Sequence, residues 1–153
     1  MALAKKGFTL VEVLIAAGIL AIVLVGLLQT FIQCSLLASM AGNLTSAVAQ
    51  AQNKMEEIRN HNYDLITTDY APVGTPPANT FNVSPLDGKG VIYIDSSNAN
   101  LLKITIDVCW KEKDNRIVGE DTNRNGVLDA GEDQDGDGQI DSIVKLMTLL
   151  AKK

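Results

Sequence analysis

The chain has 153 residues, 46% of them hydrophobic, and a formal charge of −5 at neutral pH. That length fits one domain plus an appended segment. The acidity is local, with ten acidic and three basic residues in 112–141, and no basic patch could follow a phosphate backbone, which excludes nucleic-acid binding as the main role.

The chain opens with Lys5 and Lys6, then Gly7, then the apolar run 8–28, in which Glu12 is the single charged residue. A run of that length and composition suffices for a membrane-spanning helix. It is longer than a signal-peptide core and has no small-residue cleavage site at its far end. A plain anchor held by Lys5 and Lys6 on the cytoplasmic side would gain nothing from a carboxylate in the apolar run, so Glu12 reads as functional.

Beyond the run the pattern becomes amphipathic. Leu36, Leu37, Met40, Leu44, Val48, Ala51, Met55 and Ile58 recur at spacings of three or four, as on a helix packed against a sheet. No proline occurs before Pro72, so residues 8–59 are expected to form one helix, with Gly18, Gly26 and Gly42 as weak points.

Residues 61–90 carry Pro72, Pro76, Pro77 and Pro85 and read as an irregular connector. His61, the only histidine, is expected at the surface beside a helix end. Residues 91–95 and 101–111 read as two strands joined by a polar turn. In the second, Leu102, Ile104, Ile106, Val108 and Trp110 share one face, while Lys103, Thr105, Asp107, Cys109 and Lys111 share the other. Cys109 therefore points away from the main core, as a free thiol or beneath a neighbouring segment or subunit. Two cysteines, Cys34 and Cys109, are too few for a disulfide framework, and no bridge between them is expected. Residues 116–118 are expected to add a short strand. Residues 143–150 fit helix and strand periodicity alike.

The segment between these elements carries metal-ligand spacing. Asp121, Asn123, Asn125, Val127, Asp129 and Glu132 fall at positions 1, 3, 5, 7, 9 and 12 of an EF-hand loop, with Gly126 at the sharp turn. Calcium needs such a supply of hard oxygens, with Val127 giving its carbonyl and Glu132 binding bidentately. A second loop starts at once, with Asp133, Asp135, Asp137, Gln139 and Asp141 in ligand positions and Gly138 at the turn. Its twelfth position is Val144, so it is incomplete. One calcium ion is expected, and a second would lie close to it. No helix pattern flanks the first loop, so the expected role is structural, holding two strands in register, rather than that of a sensor. No nucleophile elbow, phosphate-binding loop or Cys/His cluster is present, and no enzyme is expected.

The segment KKGFTLVEVLIAAGIL resembles the class III signal of type IV prepilins and of type II secretion pseudopilins. The resemblance covers the leader and the whole first helix. It implies cleavage after Gly7 by a prepilin peptidase, N-methylation of Phe8 by the same enzyme, and pairing of Glu12 with the terminal amine of a neighbouring subunit. AQAQNKMEEIRN, residues 49–60, is similar to the helix end common in minor pilins and minor pseudopilins. ITIDVCW and IVKLMTLLAKK, residues 104–110 and 143–153, are similar to their final hairpin, which makes 143–150 a strand.

The resemblance implies an α+β fold, a long N-terminal helix on a small antiparallel sheet, and the residue spacing inserts the calcium loop in its C-terminal hairpin. The expected parts are a leader at 1–7, a membrane or fibre-core helix at 8–35 and a globular head at 36–153. Within the head, 36–60 is helix, 61–90 connector and 91–153 sheet, with the calcium loop at 120–141. The implied function is a structural subunit that polymerises through its N-terminal helix as a minor pilin of a type IV pilus. The alternatives are a minor pseudopilin of a type II secretion system and a membrane-anchored calcium-binding or adhesive module that does not polymerise. The implied partners are other pilin or pseudopilin subunits, the prepilin peptidase and methyltransferase, the assembly platform and the inner membrane. Before assembly the chain would span the bacterial inner membrane once with its head outside the cytoplasm, and then enter a pilus or periplasmic pseudopilus.

Overall fold

The structure is a computed structural model and describes residue 7 and residues 9–152. The methylation site expected at Phe8 and residues 1–6 of the leader lie outside the described residues. The first helix, α1, runs from Leu10 to Arg59 without a break at Gly18, Gly26 or Gly42. Thr9 caps it, its Oγ1 accepting the Glu12 N–H at 3.2 Å. Thr9 and Glu12 thus hold the N-cap and third helical positions of a capping-box pattern, and Glu12 meets the positive end of the helix dipole. The hydroxyls of Thr30, Thr45 and Ser46 donate to carbonyls four residues back, so each is satisfied within the helix.

The described chain forms two compact units, one up to Met40 and one over Ala41–Lys153. In the first, every large apolar side chain from residue 10 to residue 28 is at least 50% exposed. A helix that is apolar around its whole circumference needs lipid or other helices to cover it.

The second unit is a five-stranded antiparallel sheet with helical segments packed on it. Its strands are β1 (Thr80–Asn82), β2 (Asp87–Asn98), β3 (Leu101–Lys111), β4 (Ile117–Val118) and β5 (Val144–Ala151). β1, β2 and β3 are neighbours in that order. The other edge of β3 is shared: β5 pairs with Leu101 to Val108, and β4 with Trp110 and Lys111. The hairpin of β3 and β5 thus forms as expected, with the acidic segment inserted in it. Of the ambiguous residues 143–150, all but Ile143 are strand, because β3 supplies the hydrogen-bonding edge.

The connector is more regular than its prolines suggest. Residues Tyr63–Asp69 form a short helix, α2, capped by the Asn62 side chain, which accepts the Asp64 N–H at 3.1 Å. β1 also lies in this connector, and β2 is longer than the expected 91–95 because its register with β3 continues from Asp87 to Asp95.

The main core joins Ala47, Ala51, Met55 and Ile58 of α1 to Ile92 of β2 and to Leu102, Ile104, Ile106, Val108 and Trp110 of β3. The helix stripe differs from the expected one. Leu36, Leu37 and Leu44 are exposed, while Ala47 is fully buried. Within the second unit the sheet packs on α1 from Ala47 onward, where the small side chains of Ala47 and Ala51 permit close packing. Glu112 ties the layers, accepting from Asn43 Nδ2 at 2.6 Å and Trp110 Nε1 at 2.8 Å. Truncating Ile106, fully buried at the centre of β3, to Ala is expected to lower the unfolding free energy by about 3 kcal/mol, read from denaturant-induced unfolding.

Candidate functional site

On the second face of β3 only Lys103 is exposed to solvent. Thr105, Asp107 and Cys109 on it are all buried, because the acidic segment folds back over them. Leu128 and Ile140, each at the eighth position of its loop, pack with Val91, Tyr93 and Cys109 into a small second core. Cys109 therefore lies beneath a segment of its own chain, and burial pushes its thiol up to about 11. Cys34 is exposed on α1, and both cysteines are free.

The two loops repeat the same local geometry. Asp121 accepts the Asn125 and Gly126 N–H groups, and Asp133 those of Gly136 and Gly138. At the third and fifth positions, Asn123 and Asn125 accept N–H groups two residues on, as do Asp135 and Asp137. These are Asx turns, which bend the backbone around the side-chain oxygens. The backbone is left-handed at the fourth and sixth positions of both loops, with φ of 58° at Arg124, 79° at Gly126, 79° at Gly136 and 77° at Gly138. At Gly126 a Cβ would also lie 2.5 Å from Thr80 Cγ2, so the first loop's turn packs onto β1 only as glycine.

Each loop is closed by a glutamate. Glu132 Oε1 accepts the Thr122 N–H at 2.8 Å, and its Oε2 accepts the Asp129 N–H at 3.0 Å. Glu120, the residue just before the first loop, does the same for the second. Its Oε1 accepts the Gln134 N–H at 3.0 Å and its Oε2 the Asp141 N–H at 3.0 Å. Thr122 and Gln134 are second positions, and Asp129 and Asp141 are ninth positions. Sequence reasoning missed Glu120. Its signal was the recurring Glu-Asp pair, Glu120-Asp121 and Glu132-Asp133, twelve residues apart.

The predicted ligands are brought together unequally. In the first loop, Asp129 Oδ2 accepts from Asn123 Nδ2 at 2.7 Å and Asn125 Nδ2 at 2.8 Å, and amide groups meet the carboxylate at the loop centre. In the second, carboxylate oxygens of Asp135, Asp137 and Asp141 lie within 4.8 Å of one another, as do those of Glu120, Asp133 and Asp135. Val127 and Gln139 hold the seventh positions, where each N–H is bonded to the preceding Asx side chain.

The electrostatics follow burial and amide count. Burial raises the Asp121 carboxyl, although the Gly126 and Asn125 amides work against it. Burial also opposes charge on Glu132, but the Thr122 hydroxyl and the surrounding N–H groups outweigh it and hold that carboxyl low. Lys145 is bonded to Asp141, which raises its ammonium. Tyr93, raised to about 12 by burial, accepts the Ile140 N–H at 2.7 Å and so pins the second loop to β2.

Asp107 is the exception to this satisfied network. It is fully buried, and neither carboxylate oxygen makes a well-formed hydrogen bond among the described residues, although the Ser142 backbone N–H lies near enough to oppose its rise. Burial pushes it from the usual value up to about 7, with Asp141 and Asp137 adding to the rise and Lys145 opposing it.

Elsewhere, Gly7 is exposed and Glu12 stands one turn into α1. His61 is half-buried at the end of α1 and bonds to Asp69 at 2.7 Å.

A carboxyl raised on folding stabilises the fold fully below its unfolded value and loses that contribution as pH rises through its folded value. In calcium-free buffer, Asp107→Asn is therefore expected to match the parent chain near pH 4. It should exceed it by on the order of 2 kcal/mol near pH 8, in unfolding measured across that range.

Among curated proteins and among solved structures, none matches this chain. Residues 3–28 match the family model described as the prokaryotic N-terminal methylation motif. That segment, with Gly7 before the capped helix and Glu12 in its first turn, marks a type IV pilin-like class III signal peptide.

Proposed function

We propose that the chain is a structural subunit that polymerises through its N-terminal helix into a type IV pilus, as a minor pilin with a calcium-stabilised head. The observation that carries this reading is Glu12 in a helix whose large apolar side chains from residue 10 to residue 28 are all exposed, within the segment that matches the methylation motif. Cleavage after Gly7 would remove Lys5 and Lys6 and create a new cation at Phe8. A carboxylate in lipid or in a fibre core is tolerated when it is paired, and the terminal amine of a neighbouring subunit is the partner this processing supplies. Prepilin peptidase and other pilin subunits are the partners that the motif implies. The assembly platform is the partner this reading adds. The chain would wait in the inner membrane with its head outside the cytoplasm, as Lys5 and Lys6 favour. It acts by assembling, not as an enzyme.

The calcium part of the proposal rests on the first loop. Asp121, Asn123, Asn125, the Val127 carbonyl, Asp129 and Glu132 supply the oxygen set that calcium takes. Asn123 and Asn125 would turn their amide oxygens toward the ion, replacing the present contacts with Asp129. An ion there would tie the ends of the inserted segment and hold β3 and β5 together.

Mass spectrometry of sheared surface fibres is expected to find the chain beginning at a methylated Phe8. Its confinement to a periplasmic fibre would overturn the pilus assignment in favour of a secretion pseudopilus. Glu12→Ala is expected to abolish incorporation into fibres while leaving membrane insertion intact. Incorporation at the parental level would refute the proposed pairing. Calcium is expected to raise the melting temperature of the processed chain in detergent, and Glu132→Gln to reduce that gain. A melting curve indifferent to calcium would remove the ion from the proposal.

A further inference from the structure

The second loop has no ligand at its own twelfth position, because Val144 there begins β5 and is buried in the main core. The structure places another carboxylate where that ligand belongs. Glu120 makes to the second and ninth positions of this loop the same pair of hydrogen bonds that Glu132 makes to the first loop. We infer that Glu120 is the closing ligand of the second loop, so that the two loops form a reciprocal pair of complete calcium sites. Each loop is then finished by the glutamate that precedes the other loop's first aspartate. The inference rests on the calcium reading of the first loop proposed above.

The ligand set supports it. Glu120 lies with Asp133 and Asp135, and Asp135 lies with Asp137 and Asp141, each trio having carboxylate oxygens within 4.8 Å of one another. These five, with the Gln139 carbonyl, match in number and type the oxygen shell of a calcium loop.

An independent observation bears on the charge of this site. Asp107 is fully buried on the face of β3 that the second loop covers, and neither of its oxygens makes a well-formed hydrogen bond among the described residues. It shares that face with Cys109, on which Ile140 packs, and Ser142 Oγ donates to the adjacent Val108 carbonyl at 2.5 Å. The charges that act on Asp107 are those of Lys145, Asp141 and Asp137, and Lys145 is bonded to Asp141. Two further carboxylates beside a buried one are tolerated when a cation sits among them. A divalent ion in the second loop supplies it. Asp107 would then act through the field, beneath the ligands, and not as one of them.

The test is calcium titration of the full processed chain in detergent, with stoichiometry from native mass spectrometry. The parent chain is expected to bind two ions, Glu120→Gln one and Glu132→Gln one. Asp137→Asn keeps the acceptor for the Gln139 N–H and so preserves the turn. It is expected to weaken the ion lost in Glu120→Gln by about tenfold and leave the other within about threefold. Terbium luminescence excited through tyrosine identifies the site, because Tyr93 is bonded to the second loop. This emission should fall in Glu120→Gln and persist in Glu132→Gln. Two ions in Glu120→Gln, or a single parental ion lost in Glu132→Gln but not in Glu120→Gln, would overturn the inference while sparing the calcium proposal for the first loop. A parent chain that binds no calcium would end both.

Discussion

Strand β3 has neighbours on both edges and both faces. β2 takes one edge and β5 with β4 the other, while α1 covers one face and the acidic segment covers the second. Alternation along β3 puts purely apolar side chains toward α1 but Thr105, Asp107 and Cys109 on the other side. Burying a polar face requires that its covering layer bring hydrogen bonds or charge. The acidic segment must therefore do two things at once: pack Leu128 and Ile140 against the sheet, and carry many carboxylates without collapse.

It manages the second task by turning carboxylates onto its own backbone. Asp121, Asp133, Glu120 and Glu132 each accept two or more N–H groups of the loops. Each bond of this kind favours the ionised acid and fixes a backbone donor of the loop. The left-handed positions at residues 124, 126, 136 and 138 aim those donors inward. The same bends leave the remaining oxygens of the second loop facing one another, an arrangement that water alone serves poorly and a hard cation serves well.

The N-terminal helix poses the same problem in another solvent. Glu12 is well placed for helix initiation, since Thr9 caps its N–H and its charge meets the helix dipole. Those effects are worth little against the cost of a carboxylate among exposed leucines, isoleucines and valines in an apolar medium. In the proposed assembly, both ends of the molecule thus hold carboxylates that gain their counter-charge only after export or processing, an amine at one end and calcium at the other. The membrane or fibre would cover the helix, and the ion would stiffen the hairpin that carries the head.

The first helix, the register-forming strand 101–111 and the loop residues of the acidic segment could all be read from the chain, because each depends on local spacing. A continuous helix follows from a proline-free apolar run, strand alternation from a period of two, and the Asx turns from oxygen side chains beside glycine. The strand at 144–151 was legible only by resemblance, since its side chains suit a helix equally and β3 decides the matter by offering an edge. Which part of α1 is buried also depended on the sheet: Ala47 lies in the core and Leu44 does not, because contact is set by where the strands lie and not by hydrophobicity. The burial of Cys109 and Asp107 and the role of Glu120 required the folded chain. Glu120 is outside both loops by spacing, and only the return of the second loop over β3 brings the Gln134 and Asp141 amides to its carboxylate. Local periodicity determines elements and motifs, whereas closure of a site by a residue from outside its own motif is decided by packing.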